Sequence, residues 1–106
     1  MTSDPIIKKL VAYLNDNYQE ELNLQKLCAE FFLSKATLCA RFKKMMNCSI
    51  MDYLSKIRIN KAMWLLKYTS KSVEEISCLC GFSSANYFGL VFKKFIGISP
   101  LNYRKT

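Results

Sequence analysis

Phe42-Lys43-Lys44 returns fifty residues later as Phe92-Lys93-Lys94, and this recurrence decides the fold. In the same register Asn47 faces Gly97, Ser49 faces Ser99, Met51 faces Leu101 and Tyr53 faces Tyr103. Upstream, after a slip of one residue, Leu24, Leu27, Phe31 and Leu33 correspond to Val73, Ile76, Cys80 and Phe82. The chain therefore holds two copies of one supersecondary unit, at about residues 24–47 and 73–97.

Each copy reads as a short helix, a tight turn and a second helix. In the later copy Ser72 and Glu75 form a capping box that starts a helix with Val73, Ile76 and Cys80 on one side. Gly81 ends it, because glycine takes the left-handed conformation that a sharp turn between crossed helices needs. Ser83 and Ser84 offer caps for a second helix, in which Tyr87, Phe88, Val91, Phe92 and Phe95 recur at spacings of three and four. The earlier copy runs in parallel: Asn23 caps, Leu24, Leu27 and Phe31 pack, Ser34 caps again, and Leu38 and Phe42 face inward. Its turn carries Phe32 where the other has Gly81, which implies either strain or a different turn geometry.

Asn47 and Gly97 close the second helices. Ser99-Pro100 opens a short terminal helix, and Asp4-Pro5 opens the first helix of the chain, with Ile6, Leu10 and Leu14 on one stripe. Between the copies lies a helix from about Ile50 to Tyr68, with Leu54, Ala62, Leu65 and Leu66 inward. At ~1.5 Å per residue it is ~27 Å long. Two readers on one face of B-DNA sit ~34 Å apart, so such a helix is a strut of nearly the right length, the shortfall being met by bending the DNA. The expected fold is all-α: about seven helices, two helix-turn-helix units and a long linker helix in one domain, residues 1–106.

Composition agrees. The chain has 106 residues, 51% of them hydrophobic, with only three glycines and two prolines, which suits short connections between helices and not a many-stranded sheet. The net charge of +8 is unevenly placed: Met1 to Leu33 carry three basic and five acidic residues, and Ser34 onward thirteen and three. Such a one-sided excess is the footprint of a polyanion-binding face, although a solvated lysine-rich surface would look alike. Cys28, Cys39, Cys48, Cys78 and Cys80 are odd in number, lack metal-site spacing and have no histidine beside them, so no metal and no disulfide is expected. With no signal peptide and no long apolar span, a cytoplasmic location and no membrane contact follow. The absence of histidine, of a nucleophile–base pairing and of a phosphate loop argues against an enzyme, and no cofactor is expected.

From Leu24 to Arg104 the chain resembles the AraC/XylS-type bacterial transcription regulators, most specifically from Ile76 to Arg104. Gly81-Phe82-Ser83, Tyr87-Phe88, Val91-Phe92-Lys93-Lys94, Gly97-Ile98-Ser99-Pro100 and Tyr103-Arg104 stand in that family's spacing, and Tyr53-Leu54, Arg58, Ala62 and Leu65-Leu66 fit its linker. The resemblance implies a monomer whose two recognition helices enter successive major grooves of double-stranded DNA. It also implies a missing N-terminal sensor or receiver domain, and the start Met1-Thr2-Ser3-Asp4-Pro5 is read as that of an excised C-terminal piece. RNA polymerase is a further expected partner.

By position, the first recognition helix presents Lys35, Ala36, Thr37, Cys39, Ala40, Lys43 and Lys44, and the second Ser84, Ala85, Asn86, Tyr87, Gly89, Leu90, Lys93 and Lys94. Members of the family often carry arginine where Ala40 and Leu90 stand. Arginine on guanine is worth ~1–3 kcal/mol of discrimination, so its double absence points to an A·T-rich site. Ala36, Ala40 and Leu90 then meet thymine methyls, Asn86 reads adenine, and the lysines position the protein on phosphates. Arg58 is expected in a structural pairing, Trp64 and Tyr13 in a core or an interface, and Cys39 as a small residue on the reading face ahead of any redox role. The competing function is a helical protein-interaction module with a basic face.

Overall fold

The computed structural model describes residues 3–106; Met1 and Thr2, with which the expected domain begins, lie outside the described residues. Among the described residues there are seven helices and no strand: α1 (Pro5–Asn17), α2 (Leu24–Phe31), α3 (Lys35–Met46), α4 (Ile50–Tyr68), α5 (Val73–Leu79), α6 (Ala85–Ile96) and α7 (Pro100–Lys105). The chain forms two compact units, the first ending at Leu54 and the second spanning Ser55–Thr106, so the boundary falls within α4. Each unit contains one helix-turn-helix pair, α2–α3 or α5–α6.

Every helix starts at a polar side chain that takes up a backbone N–H left free by the first turn. Asp4 Oδ1 accepts from Ile6 and Ile7 at 3.1 and 3.4 Å, and Asn23 Oδ1 from Lys26 at 2.8 Å. Ser34, Ser49 and Ser72 accept from Thr37, Asp52 and Glu75 at 3.3, 3.1 and 3.1 Å. Ser84 and Ser99 accept from Tyr87 and Asn102 at 3.1 and 3.2 Å. The Glu75 carboxylate accepts the Ser72 N–H in return, completing the capping box. Of the two serines offered for α6, Ser84 is the cap.

The two inner turns share one geometry. Leu33 N–H donates to the Cys28 carbonyl at 3.2 Å, and Phe82 N–H donates to the Ser77 carbonyl at 3.0 Å. Both bonds require a left-handed residue just before the donor, and Phe32 (φ 55°) and Gly81 (φ 90°) supply it. Phe32 therefore takes the strained alternative: a side chain in this region costs roughly 1–2 kcal/mol that Gly81 does not incur. Asn47 (φ 62°) and Gly97 (φ 95°) close α3 and α6 in the same left-handed manner.

In the first unit the core is Ile7, Leu10 and Leu14 of α1, Leu22, Leu27 of α2, Leu38 and Phe42 of α3, and Ile50 and Leu54 at the start of α4. Ile7, not the expected Ile6, joins Leu10 and Leu14, because spacings of three and four centre the stripe one residue further on; Ile6 is half-buried. Phe42 meets Tyr53 edge-on at 5.7 Å, and Tyr13 meets Phe31 likewise at 5.7 Å.

The second unit is centred on Ile59, Ala62, Leu65, Leu66, Ile76, Cys80, Phe82, Phe88, Val91 and Phe92. Its rings run in series: Phe82–Phe88 at 5.0 Å, Phe88–Phe92 at 5.7 Å and Phe92–Tyr103 at 5.5 Å. Arg104 ties α7 to the end of α4, donating from Nε to the Leu66 carbonyl at 3.0 Å and from Nη2 to that of Thr69 at 3.2 Å. One expectation is corrected here: Tyr87 is 51% exposed and off the inward row, whereas Phe95 packs, partly buried, against the cluster. Of the two places expected for Trp64, a core or an interface, its 53% exposure excludes the core of its own unit. The Trp64 ring leans on Tyr68 at 5.3 Å and lies under the Lys61 ammonium at 5.2 Å.

Neighbouring Cys78 and Cys80 differ sharply: Cys78 is exposed, whereas burial pushes the Cys80 thiol up to about 11, only partly offset by Lys61 and Arg58. Alkylation proceeds through the thiolate. Mass spectrometry after iodoacetamide treatment near neutral pH is expected to find Cys78 modified first and Cys80 untouched until urea unfolds the second unit.

Candidate nucleic-acid interface

α3 and α6 are twins in register as well as in length. A helix turns ~100° per residue, so Ala36, Cys39, Ala40 and Lys43 form one row on α3, and Asn86, Gly89, Leu90 and Lys93 form the same row on α6. Opposite these rows, Leu38 and Phe42 are buried in the first unit, and Phe88, Val91 and Phe92 in the second. Each helix is thus anchored by one face and presents the other.

On α3, Lys35, Ala36, Thr37, Ala40, Lys43 and Lys44 are exposed and Cys39 is half-buried at the row's edge. Thr37 is held at the helix start, its Oγ1 accepting from the Ser34 hydroxyl at 3.0 Å. On α6, Ser84, Asn86, Tyr87, Leu90, Lys93 and Lys94 are exposed, with Ala85 and Gly89 half-buried. Leu90 is 72% exposed, an apolar side chain that its own unit leaves uncovered. A methyl group added at Gly89 would meet nothing within 4 Å, so core packing does not require glycine there. Lys94 reaches back over the Phe95 ring at 5.8 Å, and Lys44 borders a shallow cavity of about 380 Å³ with Ser3, Asp4, Pro5, Arg41 and Met45. Lys44 and Lys94 therefore flank the rows, which Lys43 and Lys93 end.

The feature that sequence reasoning missed is Arg41. It stands in the register of Val91, which is buried, and so turns from the exposed row toward α1. There it makes a bidentate pair with Asp4: Nε donates to Oδ2 at 2.7 Å and Nη2 to Oδ1 at 2.6 Å. Asp4 thus caps α1 and clamps α3 at once. The signal lay in the repeat itself, since an arginine at a position that holds valine in the twin needs an acid nearby. The Arg41 hydrogen bonds hold the Asp4 carboxyl below its ordinary value, helped by the α1 N–H groups and opposed by desolvation.

Arg58, expected in a structural pairing, sets its guanidinium 5.9 Å from the centre of the Phe82 ring, and burial lowers its pKa. Charge divides between the units: seven basic and six acidic residues up to Leu54, nine and two from Ser55 onward. Among the described residues, no helix is long and apolar enough to cross a membrane, and no cluster of Cys, Asp or Glu could hold a metal ion.

Comparison with known proteins supplies the context for this arrangement. Residues 27–106 match the family described as a helix-turn-helix domain. The chain is 34% identical over 102 residues to the uncharacterized HTH-type transcriptional regulator YdiP of Escherichia coli K12, a match covering 96% of this chain and 34% of that protein. The C-terminal domain of AraT, a response regulator from Geobacillus stearothermophilus, superposes with a TM-score of 0.93 at 30% identity, covering 96% of this chain and 85% of that one. The DNA-binding domain of the global transcriptional factor AdpA, solved in complex with a target DNA, superposes with a TM-score of 0.89 at 29% identity, covering 97% and 92%. The chain spans about a third of the length of the curated relatives it matches.

Asp4→Asn keeps a good helix cap but removes the charge that Arg41 binds. A carboxyl whose folded pKa is depressed stabilises fully above its unfolded value and ceases to do so as pH falls through the folded one. Urea titrations should therefore find the variant less stable than the parent at pH ~6, with the gap narrowing as acid goes below the ordinary aspartate value of 3.8. An unchanged gap in acid would mean that the pair contributes through shape alone.

Proposed function

This chain belongs to the AraC-type family of helix-turn-helix transcription regulators and is a sequence-specific DNA-binding domain, and we propose that α3 and α6 read successive major grooves of one A·T-rich site. The family is one of regulators and not of enzymes. The observation that carries the proposal is the pair of exposed rows in identical register, each ending in a lysine and each backed by a buried aromatic face.

Roles follow from side-chain chemistry. Ala36, Ala40 and Leu90 are apolar and exposed, suited to thymine methyls; Asn86 can pair with the N6 and N7 edge of adenine. Ala85, Tyr87 and Gly89 line the second helix beside them, as Thr37 and Cys39 line the first. The open space at Gly89 supports close approach of the α6 backbone to the groove wall. Lys35, Lys43, Lys44, Lys93 and Lys94 neutralise phosphates, and the helix start at Ser84 can offer backbone N–H groups to one. With no arginine in either row, specificity is modest and leans on DNA shape.

The whole regulator is proposed to be larger, to act in the bacterial cytoplasm, and to join these units to an N-terminal sensor or receiver domain; the short share of each relative that the chain covers supports this. Contact with RNA polymerase belongs to the same proposal.

Site selection from random duplexes should return an A·T-rich consensus, and a G·C-rich one would refute the assignment of Ala40 and Leu90. Asn86→Ala is expected to lose ~1–3 kcal/mol of discrimination at one adenine, whereas Lys43→Ala weakens all sequences alike and lowers the slope of log affinity against log salt by about one. Binding that is indifferent to sequence at fixed salt would favour a protein-interaction module instead.

A further inference from the structure

We infer that Phe32 is a DNA-contacting residue, packing its ring on the sugar–phosphate strand at the edge of the groove that α3 enters. The inference rests on the assignment of α3 as a recognition helix. Phe32 breaks two local rules together. It occupies a left-handed conformation at φ 55° and ψ 39° that disfavours side chains, and its side chain is 90% exposed, so the fold recovers nothing from the ring. The twin turn does the same backbone job with Gly81. Left-handed geometry therefore does not call for phenylalanine, and packing within the first unit does not either. Residues that break local rules without a return inside the fold mark functional sites.

Position supplies the occupant. Phe32 precedes the α3 cap, Ser34, by two residues, and Lys35 and Ala36 follow in the first exposed turn. In a helix-turn-helix complex the start of the recognition helix lies against base edges while the preceding helix crosses the backbone. The turn between them thus sits where groove gives way to strand. The C–H faces of deoxyribose there are apolar and match an exposed ring, and Lys35, exposed three residues on, suits the phosphate. A ring on sugar reads no bases and releases no counterions, so its contribution is uniform across sequences and insensitive to salt.

The test uses the full chain with Phe32→Gly, Phe32→Asn and Phe32→Leu, measuring thermal midpoint, affinity for the selected site and for random duplex, and the salt slope of each. Glycine relieves the turn, so Phe32→Gly should melt higher than the parent while binding both duplexes roughly five- to tenfold more weakly at an unchanged salt slope. Phe32→Asn, which tolerates the same backbone, should bind as weakly, and Phe32→Leu should recover part of the loss. Affinity within twofold of the parent would overturn the inference, as would a loss confined to the selected site or restored by asparagine. Failure of the underlying assignment is distinguishable, because it would appear in the parent chain as an absence of sequence preference.

Discussion

A single left-handed residue between two short helices carries each unit. It turns the backbone so that the N–H of the following residue reaches a carbonyl five residues back, Leu33 to Cys28 in one unit and Phe82 to Ser77 in the other. That bond sets how the second helix leaves the first, and hence which of its faces meets the core. Once Leu38 and Phe42, or Phe88 and Phe92, are committed inward, the row on the far side has no freedom left. The exposed rows of α3 and α6 are therefore products of the turns as much as of their own side chains.

Around this constraint the two units support α3 and α6 by different means. The second relies on apolar contact, with a series of four rings from Phe82 to Tyr103 and Arg58 laid on the first of them. The first has fewer aromatics beneath α3 and adds a charged clamp, Asp4 on Arg41, which fastens the start of α1 to the middle of α3. The units also part in electrostatics, the first being nearly neutral and the second strongly basic.

Most of the fold was legible because its signals are local. Caps act over two or three residues, left-handed closures announce themselves as Gly81, Gly97 and Asn47, and α4 ends where its apolar pattern ends at Tyr68. What stayed hidden was what depends on distant packing. Ile6 and Ile7 are indistinguishable until the direction of the α1 stripe is known, and Trp64 could belong to a core or an interface until its helix face proves exposed. Arg41 and Asp4 are 37 residues apart, and only the mismatch with Val91 hinted that they meet. The candidate rows were readable from register, but the exposure of Phe32 was not, since sequence could not decide between strain and another turn.

Internal duplication carries a hazard for a folding chain: an early helix of one copy can dock on the later helix of the other, giving a compact but wrong pairing. Arg41 bears on this. Were α3 to settle where α6 belongs, its guanidinium would fall at the buried site of Val91, in a unit that does not contain Asp4, and a buried cation without its partner is strongly unfavourable. The divergence between the twins thus penalises one crossed pairing, that of α3 with the second unit, and favours its place beside Asp4.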